Sequence, residues 1–220
     1  MRFNTLFFDL DETLYPTSSG LWGAIRERIN AYMRERMGFP PEQIEILREQ
    51  FFREYGTTLR GLQANYKVDM DEYLAFVHNV PLEAHLNPDP ELRDIIEALP
   101  ARKFIFTNAD SVHANRVLDV VGLQGIFDSI LDVHTISPYC KPMPESFELA
   151  LRATGSPDPR TCALLDDQAR ITRAARSLGM YTILVGKESA GENADASLIK
   201  WTELPGLLDG RALRCSSTGC

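Results

Sequence analysis

Four acidic side chains occur in two pairs, each at the end of an apolar run of the sequence. Asp9 and Asp11 follow a run near the start of the chain, and Asp166 and Asp167 follow another run far downstream. Carboxylates that lie close together repel each other unless a positive group stands between them. Mg²⁺ takes a few carboxylates and keeps room for water and a phosphate oxygen. The two pairs therefore predict a Mg²⁺ site if the fold brings them together.

Three further polar residues stand at similar places. Thr107 and Asn108 end a second apolar run, and Lys141 follows a third run on a segment that precedes an amphipathic stretch. In doubly wound sheets, ligands bind at the carboxyl ends of the strands. If the apolar runs are neighbouring parallel strands, one rim collects four acids, a hydroxyl, an amide and an ammonium group.

Short apolar runs and amphipathic stretches supply the elements that would position these residues. The runs have the continuous apolar character of strands buried on both faces. They cover residues 4–9, 103–107, 129–133, 162–166 and 181–185. The helices expected between the later runs cover residues 112–123, 144–153 and 171–178. This alternation predicts an α/β fold, a doubly wound parallel sheet covered on both faces.

About ninety residues separate the first run from the second, far more than an ordinary crossover or loop requires. They carry stripes of apolar side chains at helical spacing, so a helical subdomain is expected at residues 16–85. The α/β core domain then takes residues 1–15 and 86–210. The last residues, 211–220, show no periodicity and are expected to form a disordered tail.

Composition and charge exclude several classes of protein. The 220 residues include 23 Lys and Arg against 31 Asp and Glu, a net charge of −8, and no basic cluster suits a nucleic acid polymer. No apolar run approaches the roughly 20 residues of a membrane span, and no signal peptide is recognisable. The four cysteines lack the spacing of a disulfide framework. We expect a reduced, cytoplasmic protein without membrane contact; the sequence leaves its oligomeric state open.

Histidines add little to this chemistry at the level of sequence. His78 and His85 are expected to be packed or surface groups, since no second His or Cys lies at metal-ligand spacing. His113 follows Thr107 on a predicted helix, so it either approaches the rim or faces solvent.

The ordered motifs resemble those of the haloacid dehalogenase-like hydrolase superfamily. The resemblance rests on DLDET at residues 9–13, Thr107 in FIFTNAD, Lys141 in YCKPMPESFELAL and the acid pair in ALLDDQARI. These motifs occur in the family's order. The resemblance implies a Rossmann-like core and a helical cap that closes over a Mg²⁺ site and excludes water.

The resemblance also implies a role for each motif residue. Asp9 would be the nucleophile that forms an aspartyl-phosphate. Asp11 would protonate the leaving alcohol and then activate water, and its backbone carbonyl would bind the metal. Thr107 and the backbone N–H of Asn108 would bind the phosphoryl group. Lys141 would hold Asp9 and that group together.

Asp166 and Asp167 would complete the metal site together with Asp9. Asp166 would bind Mg²⁺ directly and Asp167 through water, although the sequence does not distinguish the inner-sphere acid. Gln168 and Arg170 stand where the family often has a small hydroxyl residue and an Asn. The surroundings of the acid pair therefore differ from the family pattern.

Other stretches are similar to the pyrimidine 5′-nucleotidase branch of this superfamily. They are FFDLDETLYPTSSGLW, YGTTLRGL, FVHNVPLEAHLNPDPELRDII and SPYCKPMPESFELAL. This similarity implies hydrolysis of a small phosphate ester, a nucleoside monophosphate such as UMP or CMP. Tyr55, Thr57, Thr58 and Arg60 are candidates to contact base or sugar, although Arg60 could equally pair with a surface acid.

Three alternatives stay open. A phosphomutase of the same fold would keep the full set of motifs. A dehalogenase would need no acid at Asp11, because a halide leaves without a proton. A receiver-type signalling module also phosphorylates an Asp, but it places adjacent acids after its first strand, the reverse of the order in this chain.

Overall fold

A parallel sheet forms the centre of the fold, as the alternating pattern predicts. The computed structural model describes residues 2–209, and within that range the sheet has six strands. The strands are β1 (Thr5–Phe8), β2 (Arg102–Phe106), β3 (Ser129–Leu131), β4 (Cys162–Asp166), β5 (Tyr181–Val185) and β6 (Ala196–Leu198). Their order is β3-β2-β1-β4-β5-β6 and every pair is parallel, so the α/β, doubly wound prediction is confirmed. The predicted tail at 211–220 lies outside the described residues.

The central strand β1 is buried on both faces. Leu6 and Phe8 pack into one apolar cluster, while Phe7 packs into a second cluster on the opposite face with Phe104 and Leu164. Successive side chains of a strand point to opposite faces. A strand that is covered on both faces therefore needs apolar side chains at successive positions, and residues 6–8 of this strand are all apolar.

Helices cover the sheet and fill the long first connection. Among the described residues they are α1 (Leu21–Glu35), α2 (Pro41–Tyr55), α3 (Thr58–Asn65), α4 (Met70–Val77), α5 (Pro90–Glu97), α6 (Ser111–Val120), α7 (Pro144–Ala153), α8 (Ala169–Ser177) and α9 (Leu204–Leu208). In the part of the chain that the structure describes, none of them has the length and apolar character needed to traverse a bilayer.

Several element boundaries differ from the sequence expectation. β3 ends at Leu131 rather than at residue 133. The N–H of Val133 donates to the carbonyl of Ala109, beyond the end of β2, and the side chain of Asp132 accepts hydrogen bonds from the N–H groups of Ser111 and Thr135. α6 ends at Val120, just before Gly122 turns the chain with a φ of 78°. The short strand β6 was not expected at all.

The helices α1–α4 occupy the insertion that the apolar stripes predict. α1 packs against α4, where the ring of Tyr32 meets those of Tyr73 and Phe76 at centroid distances of 5.0 and 5.4 Å. Leu21 and Ile25 of α1 belong to the same apolar cluster as one face of the sheet. The insertion therefore shares a continuous core with the sheet, and its division from the core as a subdomain stays a prediction.

Candidate active site

Strand register brings the two acid pairs to one edge of the sheet. Phe8 pairs with Ile105 of β2 and with Leu165 of β4. The backbone N–H of Asp9 then donates to the carbonyl of Leu165 at 2.9 Å. Asp9 therefore leaves β1 beside Asp166, at the carboxyl end of the strands.

A buried lysine joins these two acids. Nζ of Lys141 donates to Oδ1 of Asp9 at 2.7 Å and to Oδ2 of Asp166 at 2.8 Å. Lys141 is 1% exposed, Asp9 7% and Asp166 0%. Burial would lower the pKa of Lys141, but the two carboxylates outweigh it and hold that pKa above its usual range. The ammonium group is thus a permanent positive charge between nucleophile candidate and metal-ligand candidate.

The donor set around this lysine fits Mg²⁺. Asp9, Asp166 and Asp167 each offer an oxygen within 4.8 Å of the others, and Oδ1 of Asp167 is buried without a hydrogen-bond partner among residues 2–209. Burial, the charge of Asp166 and that of Glu12 raise the pKa of Asp167 to about 7. Burial also raises the pKa of Asp9, with Asp166 and Asp167 adding to it against the opposing charge of Lys141. Mg²⁺ binds hard oxygen ligands that carry negative charge. Three carboxylates that repel each other, one of them with an oxygen that accepts no hydrogen bond, are ligands of this kind.

The loop after β1 turns back so that hydroxyl groups reach both of its acids. Oγ1 of Thr13 donates to Oδ2 of Asp9 at 3.1 Å, and the Tyr15 hydroxyl donates to Oδ1 of Asp11 at 2.6 Å. Glu12 takes a left-handed conformation with a φ of 60°, which is uncommon for a residue with a side chain. The DLDET motif contains Thr13 without assigning it a contact, and Tyr15 was not singled out in the sequence; each lies four residues after its acid.

Asp11 also contacts a histidine from a distant helix. Nε2 of His113 lies 2.9 Å from Oδ1 of Asp11, and the imidazole is completely buried. Burial would raise the pKa of Asp11, but the charge of His113 and the hydrogen bonds from His113 and Tyr15 lower it overall. Of the two positions that the sequence left open for His113, the structure has the one beside the rim.

The other histidines singled out in the sequence form no hydrogen bond with the acids of the rim among residues 2–209. Nδ1 of His78 lies 2.6 Å from Oδ2 of Asp110, and both side chains are buried. Nδ1 of His85 lies 3.2 Å from the carbonyl oxygen of Ser19. Their contacts are those of packed groups.

Thr107 and Asn108 lie next to the lysine segment. Thr107 is buried and its Oγ1 accepts a hydrogen bond from the backbone N–H of Ala109 at 3.0 Å, which leaves its own proton to donate. The Asn108 side chain accepts from the Lys141 N–H at 2.8 Å and donates to the Lys141 carbonyl at 3.1 Å. Asn108 therefore fixes the backbone that carries the buried ammonium group.

Arg60 has a different environment from the one proposed for a substrate ligand. Its Nη2 donates to the carbonyl oxygens of Val133 and Tyr139 at 3.3 and 2.9 Å, and its Nη1 donates to Oε1 of Gln63 at 2.8 Å. These bonds attach α3 to the segment between β3 and α7. Both terminal nitrogens of Arg60 are therefore engaged within the chain, and a contact of this residue with base or sugar stays a prediction.

The three other candidates from the insertion lie at the junction of two helices. Tyr55 ends α2 and Thr58 begins α3. Thr57 caps α3, and its side chain accepts the N–H of Arg60 at 3.2 Å. A contact of these residues with base or sugar stays a prediction.

The two departures from the family pattern after Asp167 act together. Nε of Arg170 donates to Oε1 of Gln168 at 3.0 Å, and its Nη2 donates to the carbonyl of Gly56 at 2.9 Å. The guanidinium also lies over the ring of Phe52, 3.7 Å from the centroid. Gly56 has a φ of 85°, and a Cβ there would lie 2.8 Å from Sγ of Cys140. The end of α2 therefore packs closely against the segment that carries the buried Lys141.

Comparison with known proteins identifies relatives of the sequence. A family model for haloacid dehalogenase-like hydrolases matches residues 3–179. Phosphate metabolism protein 8 of Saccharomyces cerevisiae is 30% identical over 192 residues, which are 81% of this chain and 60% of that protein. The chain thus spans about 60% of the length of this curated relative.

Solved structures share the fold. The protein YfnB of Bacillus subtilis, solved bound to magnesium, aligns with a TM-score of 0.61 at 18% identity and covers 95% of this chain and 100% of its own. A predicted phosphoglycolate phosphatase of Haemophilus somnus 129pt aligns with a TM-score of 0.62 at 18% identity, over 94% of this chain and 98% of its own. Taken with the family model that matches most of its length, the strand order and the ordered motifs at the rim show that this chain belongs to the haloacid dehalogenase-like hydrolases.

Proposed function

We propose that this protein is a Mg²⁺-dependent phosphomonoester hydrolase that forms an aspartyl-phosphate on Asp9. Its substrate would be a small phosphate ester in the cytoplasm, with a pyrimidine nucleoside monophosphate such as UMP or CMP preferred. The observation that carries the proposal is the shared contact of Lys141 with Asp9 and Asp166, with Asp11 on the same loop as Asp9. Nucleophile, counter-charge and a second acid are thereby available at one rim.

In the first half-reaction, an oxygen of Asp9 attacks phosphorus while the bond to the leaving oxygen breaks. Asp11 gives its proton to that leaving oxygen. The negative charge of a bound phosphate ester raises the pKa of Asp11, which favours protonation before the bond breaks. Lys141 favours the ionised form of Asp9 and orients its carboxylate, and the hydroxyl of Thr107 donates to the phosphoryl group.

In the second half-reaction, water attacks phosphorus and the bond between phosphorus and Asp9 breaks. Asp11 takes a proton from the attacking water, so inorganic phosphate leaves and Asp11 is protonated again. Bound Mg²⁺, held by Asp9, Asp166, Asp167 and the backbone carbonyl of Asp11, would neutralise charge on the phosphoryl group. We propose that helices α1–α4 act as a cap that excludes bulk water from these steps.

Asp11 favours hydrolysis of phosphate esters over dehalogenation. Its carboxylate is held by two donors, Tyr15 and His113, and a halide would leave without needing its proton. The preference for pyrimidine nucleotides is supported by the sequence similarity of the insertion and its exits to the nucleotidase branch.

A substrate panel tests the proposal. The purified full chain with Mg²⁺ is assayed for phosphate release from UMP, CMP, AMP, GMP and sugar phosphates, with Asp9→Asn as the inactive control. We expect UMP and CMP to have the highest kcat/KM. Equal rates on all nucleotides would reject the pyrimidine preference and keep the phosphatase. Isomerised sugar phosphate without phosphate release, or halide release from a 2-haloacid alone, would reject the hydrolase assignment.

A further inference from the structure

Both hydrogen bonds to the Asp11 carboxylate reach the same oxygen. Oδ1 accepts from the Tyr15 hydroxyl at 2.6 Å and lies 2.9 Å from Nε2 of His113. Among residues 2–209, Oδ2 of Asp11 accepts no hydrogen bond. Two hydrogen bonds to one oxygen oppose rotation of the carboxylate, because rotation would break both of them and would put an oxygen that accepts no hydrogen bond in place of Oδ1. The arrangement therefore distinguishes the two oxygens of a chemically symmetric group.

His113 is itself rigidly held. Its backbone N–H donates to Oδ1 of Asp110 at 2.9 Å, in the first turn of α6. Its ring stacks on that of His78, with centroids 4.1 Å apart and planes 18° from parallel. Nδ1 of His78 lies 2.6 Å from the other oxygen of Asp110. One carboxylate thus anchors both the helix that carries His113 and the ring that packs against it.

The hydrogen-bond pattern also assigns the proton on His113. Nδ1 of this imidazole is buried and has no partner within the described part of the chain. A carboxylate oxygen only accepts hydrogen bonds when it is ionised. Nε2 therefore carries the hydrogen that is donated to Asp11.

We infer that His113 and Tyr15 are positioning residues that orient Asp11 so that its Oδ2 is the oxygen that exchanges protons with the substrate. The inference rests on the proposed function. As the ester bond breaks, the proton on Oδ2 passes to the leaving oxygen. As water attacks the aspartyl-phosphate, a proton of that water passes to Oδ2. Tyr15 and His113 keep their own protons in both steps.

Leaving-group dependence separates this role from a merely structural one. Nitrophenolate needs little protonation to leave, whereas the alkoxides of UMP and glycerol 2-phosphate need a proton. The value of kcat/KM reports the steps up to formation of the aspartyl-phosphate, so the ratio of kcat/KM between p-nitrophenyl phosphate and these alkyl esters measures the help from Asp11. General acid catalysis contributes about 10²- to 10⁴-fold.

The experiment compares His113→Leu, His113→Gln and Tyr15→Phe with the wild-type chain. We expect His113→Leu and Tyr15→Phe to lose about 10²-fold in kcat/KM on the alkyl esters and less than about tenfold on p-nitrophenyl phosphate. His113→Gln, whose amide can still donate, should recover most of the loss. His85→Leu is the matched control and should leave the ratio unchanged.

An equal loss on both ester types would overturn the inference, since a damaged fold affects both alike. Tyr15→Phe removes only a hydroxyl and carries the test even if His113→Leu does not fold. Asp11→Asn distinguishes the two levels of the argument. If it shows the leaving-group split while Tyr15→Phe and His113→Leu both keep the wild-type ratio of kcat/KM values, the positioning role is wrong and the proposed function stands. If Asp11→Asn keeps the wild-type kcat/KM on the alkyl esters, the proposed function itself fails.

Discussion

The ammonium nitrogen of Lys141 lies 2.7 Å from Oδ1 of Asp9, in a place where both side chains are almost completely buried. The same nitrogen reaches Asp166 at 2.8 Å. One lysine therefore holds together two acids that would otherwise repel each other at the end of adjacent strands. This arrangement makes the lysine a structural residue of the metal-free protein as well as a candidate catalytic one.

Replacing this lysine should destabilise the metal-free protein. Lys141→Met leaves Asp9 and Asp166 buried without a counter-charge, and breaking a buried ion pair costs about 3–5 kcal/mol. We expect the free energy of unfolding, measured by urea denaturation with EDTA present, to fall by about this amount. Added Mg²⁺ should restore part of it. The exposed Lys187→Met is the control, and equal stability of the two variants would contradict the buried bridge.

The nucleophile assignment predicts a folded but inactive variant. Asp9→Asn should abolish phosphate release, because the neutral amide oxygen is too weak a nucleophile to displace the leaving oxygen from phosphorus. Mass spectrometry after brief exposure to substrate should detect a phosphorylated wild-type chain and none for the variant. Asp158→Asn, at an exposed acid that pairs with Arg160, should behave as wild type. Activity retained by Asp9→Asn would reject the aspartyl-phosphate.

Removal of the metal should abolish the phosphatase activity of the protein. EDTA should stop phosphate release and Mg²⁺ should restore it, since the proposed metal site takes its ligands from three acids at the rim. Asp167→Asn should raise the Mg²⁺ concentration required for half-maximal activity by about 10- to 100-fold. An activity that does not respond to chelator would remove the metal from the mechanism.

Arg60 should affect stability rather than the choice of base. Arg60→Ala removes bonds to two backbone carbonyls, and hydrogen bonds that involve a charged group contribute about 1.5–3 kcal/mol each. We expect a loss of at least about 3 kcal/mol in unfolding free energy with an unchanged ratio of UMP to AMP hydrolysis. Arg53→Ala, at an exposed position of α2, is the control. A changed ratio at constant stability would support the substrate contact that the sequence suggested.

Low pH should remove the contribution of the Asp110 charge to the free energy of unfolding. Burial would raise the pKa of this carboxyl, but hydrogen bonds from His78 and from the His113 N–H hold it below its ordinary value of 3.8. As the pH falls, the unfolded chain therefore binds the proton first, so the stabilisation is complete above about pH 4 and is lost as the pH falls through the folded-state pKa. Asp110→Asn keeps a capping group but loses the charge.

We expect Asp110→Asn to be less stable than wild type by about 1–3 kcal/mol at pH 7 and by clearly less at pH 3, measured by urea denaturation. Asp89→Asn replaces a cap of α5 that binds the Leu92 N–H and serves as the matched control. A difference that is constant between the two pH values would contradict the role of the charge.

The main elements of the rim were predictable because they depend on local patterns and chain order. The apolar run before Asp9 and the acid pair at Asp166 indicate strands, and a parallel sheet leaves little choice about where their ends meet. The roles of Arg60 and His113 were not predictable. Arg60 binds backbone carbonyls, which carry no sequence signature, and His113 reaches Asp11 only through the docking of α6 on the sheet.

The middle position of β1 has a consequence for biosynthesis. Both strands that flank β1 are translated after it, and β4 ends only at Asp166. While the ribosome is still adding residues up to that point, β1 has no partner on one or both edges, and unpaired edges of apolar strands are prone to aggregation. A nascent chain shorter than this contains Asp9 without Asp166 and Asp167, so the group of acids at the rim is complete only late in translation.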